Sequence, residues 1–315
     1  MKPEAMSDDH VSDELDLPTI SRRRLLLAGT GALAMGLVAC STKSDKKTSG
    51  ESKDSSTSSP NGKGQKLGIG QIFDPRVPVA TPLRLPIALI DEEGVPAKNI
   101  PATITARVGP KGEELGPRME LTRRGKGLER VYYPFITTLA TAGTWRLVVE
   151  ANGQSVESTL TALEPDDMPG RVIQPGEKLP NIATPTNAAA LGVKPICTAD
   201  PPCPLHGISL DAAMGLGKPI ALLVSTPAYC QTLICGPVLD LFLEQRKTFG
   251  ESITMIHIEV YSDDTAKKST DTVEALGLTF EPSLFLAAPD GTLSERLDYI
   301  FDSTELSESL SRLTP

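Results

Sequence analysis

Clustered positive charge is scarce in this chain. Against 40 Asp and Glu there are 31 Lys and Arg, the formal net charge is −9, and only Arg22–Arg24 and the Lys43–Lys53 region form basic groups. Phosphate neutralisation needs clustered Lys and Arg, which argues against nucleic-acid binding as a main role. Nor does the N-terminal apolar stretch, Leu25 to Ala39, reach the roughly 20 residues that span a bilayer. It is also broken by Gly29, Gly31 and Gly36, which argues against a permanent transmembrane helix. Cysteines number five. One sits at the end of that stretch and the others form two close pairs, an arithmetic that suits an oxidising compartment.

What is present falls into five segments, and 315 residues leave room for two folded domains plus tails. Residues 1–39 carry paired arginines, Arg22 and Arg23, before a modest apolar core, and this resembles a twin-arginine export signal. Leu37-Val38-Ala39-Cys40 resembles the bacterial lipoprotein cleavage box. That resemblance implies lipidation of Cys40, attachment to the membrane by a lipid anchor, and a place on the extracytoplasmic face of the cell membrane. An ordinary secretory signal with an incidental cysteine is the plainer alternative. Residues 40–65 are Ser, Lys, Gly, Thr and Asp with almost no apolar side chains, a flexible tether that cannot bury enough surface to offset its ordering entropy.

Residues 66–163 read as short alternating strands. Leu85–Ile90, Thr103–Val108, Trp145–Glu150 and Val156–Ala162 are separated by Glu92-Glu93-Gly94, Gly109–Gly112 and Ala151-Asn152-Gly153. Asn152-Gly153 between two alternating runs is a strong hairpin signal. The pattern predicts a β-sandwich of about seven strands. Gly143-Thr144-Trp145-Arg146-Leu147 resembles a strand signature of immunoglobulin-like extracytoplasmic modules. The resemblance implies a spacer or partner-docking domain, with Trp145 in its core.

Residues 164–208 are a linker and a proline-rich loop holding Cys197 and Cys203. Two cysteines around Pro201-Pro202 in an exported chain are expected to form a structural disulfide. A second redox relay pair, or a metal site with His206, are the other readings.

In residues 209–315 the informative stretch runs from Ile220 to Val238. Ile220–Val224 is a continuous apolar run, a strand buried on both faces. It leads into a turn with Cys230 and Cys235, then Gly236-Pro237 and an apolar-periodic helix expected over 237–248. On one continuous helix, positions five apart point about 140° away from each other, and their Cα atoms exceed the roughly 7 Å that a disulfide allows. A Cys230–Cys235 bridge therefore needs Gln231–Ile234 to be a non-helical loop. Cys235 then stands at the helix N-terminus, where unpaired N–H groups stabilise a thiolate.

These residues resemble a thioredoxin-like α/β domain, with Cys235-Gly236-Pro237 matching the first three positions of that family's C-G-P-C motif. Val238 replaces the second cysteine, and the partner thiol is upstream at Cys230. Which sulfur attacks and which resolves stays open. Pro282, at the start of an expected strand, matches by order the family's cis-proline beside the dithiol. The resemblance implies a thiol–disulfide oxidoreductase acting on protein thiols and disulfides through Cys230, Cys235 and Pro282, with no cofactor. Its electron donor cannot be read.

Other function classes compete. A copper-delivery protein like the Sco-type thioredoxin-fold chaperones would use Cys230, Cys235 and His206; those proteins carry a histidine just before the strand where this chain has Glu281-Pro282, and His257 is expected to pack within the sheet. A peroxiredoxin-like peroxidase would need a threonine where Pro227 stands. A non-catalytic scaffold would leave the two pairs inert.

Overall fold

The computed structural model describes residues 65–314. The export signal with Arg22 and Arg23, the lipidation residue Cys40 and nearly all of the tether lie outside the described residues. Among the described residues no helix is long and apolar enough to cross a membrane.

The first half is β1 (Gly68–Gln71), β2 (Arg76–Pro78), β3 (Leu83–Ile90), β4 (Thr103–Pro110), β5 (Met119–Thr122), β6 (Tyr133–Thr137), β7 (Gly143–Ala151) and β8 (Gln154–Leu163). Eight strands, one more than the spacing predicts, make a three-stranded sheet β1-β3-β6 and a five-stranded sheet β2-β8-β7-β4-β5. The three-residue β2 is too short to show a period and is placed by parallel pairing with β8. Alternation does the rest, because successive side chains leave opposite faces of a strand. Leu85, Ile87 and Leu89 of one sheet share a core with Ile104, Ala106, Leu147, Val149 and Leu160 of the other. Trp145 is in that core, its Nε1–H donating to the Thr141 carbonyl. Asn152 and Gly153 both have positive φ, 50° and 74°, the geometry of a two-residue turn whose twist suits the β7–β8 hairpin.

The second half is α1 (Leu210–Met214), β9 (Ile220–Val224), α2 (Cys235–Phe249), β10 (Thr254–Ile258), α3 (Asp271–Ala275), β11 (Ser283–Ala287), β12 (Leu293–Asp298) and α4 (Ser303–Leu313). Its sheet has the order β10-β9-β11-β12. β10 runs parallel to β9, as a helical crossover requires, and β11 is antiparallel to both β9 and β12. Every residue of β9 is buried, because the strand serves two cores at once. Ala221 and Leu223 pack with Val238, Leu239 and Phe242 of α2 and Leu306 and Leu310 of α4. Ile220, Leu222 and Val224 pack with Leu210 and Ala213 of α1 and Val273 of α3. Each such aliphatic side chain contributes about 1.5–3 kcal/mol on burial. The molecule is thus β-rich with few helices.

Ser209 precedes α1 and makes no capping bond to the helix; its hydroxyl donates to Asp211 and receives the Thr184 N–H. Residues 164–208, expected as a linker and loop, pack in part against the second half. Val172 and Leu179 are buried with α1, β9 and α3 residues, and the Ile173 N–H donates to the Leu276 carbonyl. Apolar residues spaced among prolines gave this segment no period, so its packing was invisible in the sequence.

Candidate functional site: a dithiol loop and a Cys/His cluster

β9 delivers the chain into Ser225 and Thr226, whose backbone begins a tight turn. The Cys230 N–H donates to the Thr226 carbonyl at 3.1 Å, and the Leu233 N–H to the Cys230 carbonyl at 3.2 Å. Leu233 then takes φ +59°, a left-handed conformation that an L-residue with a branched side chain rarely adopts. This reversal lets Ile234 serve as the N-cap of α2, which starts at Cys235, two residues before the expected proline. No side chain of Ile234 caps the helix. The Cys235 N–H donates instead to Cys230 Sγ, at 3.4 Å.

That one contact reassigns the helix N-terminus. Proximity in sequence pointed its stabilising field at Cys235, whereas the loop folds the Cys230 sulfur back onto it. The Cys230 thiol is lowered to about 5, chiefly by the hydrogen bond from the Cys235 thiol, with help from the Thr232 hydroxyl and the Cys235 and Ile234 N–H groups, against the opposing effect of burial. The Cys235 thiol is pushed up, because it is the donor to Cys230 and is buried. Both are free thiols. Cys235 is fully buried and Cys230 is 6% exposed, at the base of a loop whose Ala228, Gln231, Thr232 and Leu233 are exposed. Leu233, 75% exposed, is the most exposed large apolar side chain among the described residues.

The Glu281–Pro282 peptide bond is cis. Pro282 itself is buried, and its carbonyl accepts the Tyr299 N–H at 2.8 Å. The surface beside it therefore comes from half-buried Glu281, whose carboxyl is raised by burial and by the negative charge on Cys230.

The second pair is the one expected to form a structural disulfide. Cys197 and Cys203 are free, buried thiols, drawn into a group with His206 and His257 whose ligand atoms all lie within 4.8 Å of one another. Cys203 Sγ is 3.3 Å from His206 Nε2 and 3.4 Å from His257 Nδ1, and those two nitrogens are 3.3 Å apart. The Cys203 N–H donates to Cys197 Sγ at 3.2 Å. A hydrogen bond from the Cys203 thiol holds the Cys197 thiol down and pushes Cys203 up. These four residues could hold a metal; the set Cys230, Cys235 and His206 is not brought together in this way, since His206 belongs to the other pair. His257 does sit in the sheet, on β10, but its ring is part of the cluster rather than of the apolar packing. Sequence reasoning missed it because 51 positions separate it from His206. The signal available was a histidine at mid-strand in an otherwise apolar run.

The two groups are joined through one loop. The Ala228 N–H donates to Thr198 Oγ1 at 3.1 Å, and Thr198 donates through its N–H and hydroxyl to Glu259 of the segment after β10. Ser225, at the end of β9, touches His257. A separate cavity of about 600 Å³ lies between the halves, lined among others by Arg84, Ile136, Phe280, Arg296 and Tyr299.

No family model matches the chain, and no curated protein matches it. Among solved structures, a variant of the superoxide reductase (neelaredoxin) from Ignicoccus hospitalis aligns at 13% identity over 32% of this chain and 82% of its own, with a TM-score of 0.22. The CARDB domain of a Pyrococcus furiosus protein, solved with di-metal ions, aligns at 13% identity over 31% and 85%, TM-score 0.20. An engineered protein aligns at 10% identity over 31% of this chain, which spans only 20% of that protein's length, TM-score 0.22. Likeness at this level carries no argument about fold or function, so the site stands on its own geometry.

Proposed function

We propose that the chain is an extracytoplasmic thiol–disulfide oxidoreductase, with Cys230 as the attacking and Cys235 as the resolving cysteine. The observation that carries this reading is the Cys230 sulfur at the start of α2, accepting the Cys235 N–H and lowered to about 5. The strand order β10-β9-β11-β12 with crossover helix α2 supports assigning the second half to the thioredoxin-like fold. The two-sheet first half supports an immunoglobulin-like spacer. Arg22, Arg23 and Cys40 support export and a lipid anchor on the outer face of the cell membrane.

The chemistry needs no cofactor. The Cys230 thiolate attacks one sulfur of a substrate disulfide; a mixed disulfide forms, the substrate S–S bond breaks, and the departing thiolate takes a proton. Cys235 then gives up its proton and attacks Cys230, forming the intramolecular disulfide and releasing the second substrate thiol. Two electrons pass from the dithiol to the substrate, and the same steps reversed oxidise a substrate dithiol. Exposed Leu233 offers an apolar contact to the visiting protein, and Glu281-Pro282 borders the site.

The test is equilibration of the full chain in glutathione buffers with thiol alkylation, alongside Cys235→Ala as a trap. A reversible Cys230–Cys235 couple and a mixed disulfide on Cys230 are expected. A pair that neither oxidises nor reduces in the folded protein, with no trapped adduct, sinks the reading.

A further inference from the structure

We infer that Cys197, Cys203, His206 and His257 form a closed, structural zinc site that clamps the 188–208 loop to strand β10. The geometry fits the ion. A tetrahedral zinc with Zn–S near 2.3 Å and Zn–N near 2.0–2.1 Å sets its ligand atoms about 3.3–3.8 Å apart. The three separations among Cys203 Sγ, His206 Nε2 and His257 Nδ1 are 3.3, 3.4 and 3.3 Å. Cys197 Sγ completes the group.

The surroundings orient the ligands. His257 Nε2 lies 3.2 Å from the Ser225 carbonyl and 2.9 Å from its hydroxyl. A carbonyl only accepts, so Nε2 carries the hydrogen and Nδ1 presents its lone pair to the cluster. The Cys203 N–H aimed at Cys197 Sγ is a donor suited to a thiolate. Four donor atoms converge in a site buried on every side, where one cation between them would satisfy them all. Two thiolates, two neutral imidazoles and Zn²⁺ sum to zero, a combination that burial tolerates. Binding is not a redox step: Zn²⁺ replaces the two thiol protons, which leave to solvent.

Four protein ligands leave no open position, so the role is structural. The loop it holds has no helix or strand. Its attachment rests on a few single bonds, from the His257 N–H to the Leu205 carbonyl, from the Lys194 N–H to the Ser262 carbonyl and from Thr198 to Glu259, and the metal adds a clamp at β10 itself. Ligation also withholds Cys197 and Cys203 from exchange with Cys230 and Cys235.

The experiment is metal analysis of the full chain isolated in reductant without chelator. About one zinc per chain is expected, falling at least tenfold in Cys203→Ser and in His257→Gln, and unchanged in the Cys230→Ser/Cys235→Ser double variant. Because a ligand variant can misfold, the unmutated chain is also loaded with Co²⁺. Intense tetrahedral d–d bands with thiolate-to-cobalt charge transfer are expected, together with protection of Cys197 and Cys203 from alkylation that a chelator removes. Copper at one per chain in place of zinc overturns the assignment. So does a Cys197–Cys203 disulfide that, once reduced, takes up neither Zn²⁺ nor Co²⁺.

Discussion

At the residue scale, the decisive quantity is the charge on Cys230. A thiol lowered to about 5 is a thiolate at neutral pH. Its alkylation rate should rise through a midpoint near 5 and then stay flat to pH 8, while Cys235 stays unreactive across that range. The sign for stability follows. A depressed thiol contributes stability to the reduced fold above its unfolded value, and loses it as pH falls through about 5, so the disulfide should be the stronger oxidant at neutral pH than at pH 4 relative to an ordinary dithiol. Cys235→Ala removes the largest stabilising contact and should move the Cys230 midpoint up toward the ordinary range. An unchanged midpoint in that variant, measured by pH-dependent alkylation with mass spectrometry, rejects the assignment. The cysteine pair was legible because residue type and spacing alone demand a non-helical loop between the sulfurs. Which sulfur the helix favours was not, since it depends on α2 starting at Cys235 and on Leu233 reversing the chain.

Leu233 carries the second prediction. Its exposed side chain carries no group that can react with a disulfide, so Leu233→Asp should lower kcat/KM for a protein disulfide roughly tenfold, about 1.4 kcal/mol. The rate with a small-molecule disulfide should be unaltered. Equal losses on both substrates would place Leu233 in the loop's folding rather than in recognition.

At the element scale, the question is how irregular segments are held. The strands and the longer helices were readable because burial imposes periods of 2 and 3.6 on them. Residues 164–208 have no period, and their attachment depends on single close approaches. Gly277, which follows α3 with φ +67°, is one of them: a Cβ there would stand 2.2 Å from the Arg171 carbonyl oxygen. Gly277→Ala meets both a left-handed backbone, costing about 1–2 kcal/mol, and a backbone clash that no rotamer relieves. A loss of about 2 kcal/mol or more in urea denaturation is expected, with faster proteolysis near Arg171. Substitution without effect would mean that the segment does not dock there.

At the scale of the whole molecule, one polar network ties the halves together, and nothing in the sequence announced it. Arg84 of β3 makes a two-pronged pair with Glu305 of α4, at 2.6 and 2.7 Å, and donates to the Asp298 and Ile300 carbonyls. The Tyr132 hydroxyl donates to Glu305 and receives the Asp302 N–H. Asp302 caps α4 through the Glu305 N–H and accepts the Gly125 and Lys126 N–H groups with its other oxygen. Arginine and glutamate 221 positions apart look like two solvated charges until the chain folds them together. Both are about 90% buried, so removing one leaves the other uncompensated. Arg84→Ala should therefore cost about 3–5 kcal/mol, while Arg84→Met with Glu305→Leu should cost much less. Because the network spans both halves, the unmutated protein should unfold in a single transition. Arg84→Ala should split that transition in two, with near-UV circular dichroism of Trp145 in the first half separating from loss of Cys230 reactivity in the second. If Arg84→Ala keeps one transition at unchanged denaturant midpoint, the network is ornamental and the dithiol half stands without its neighbour.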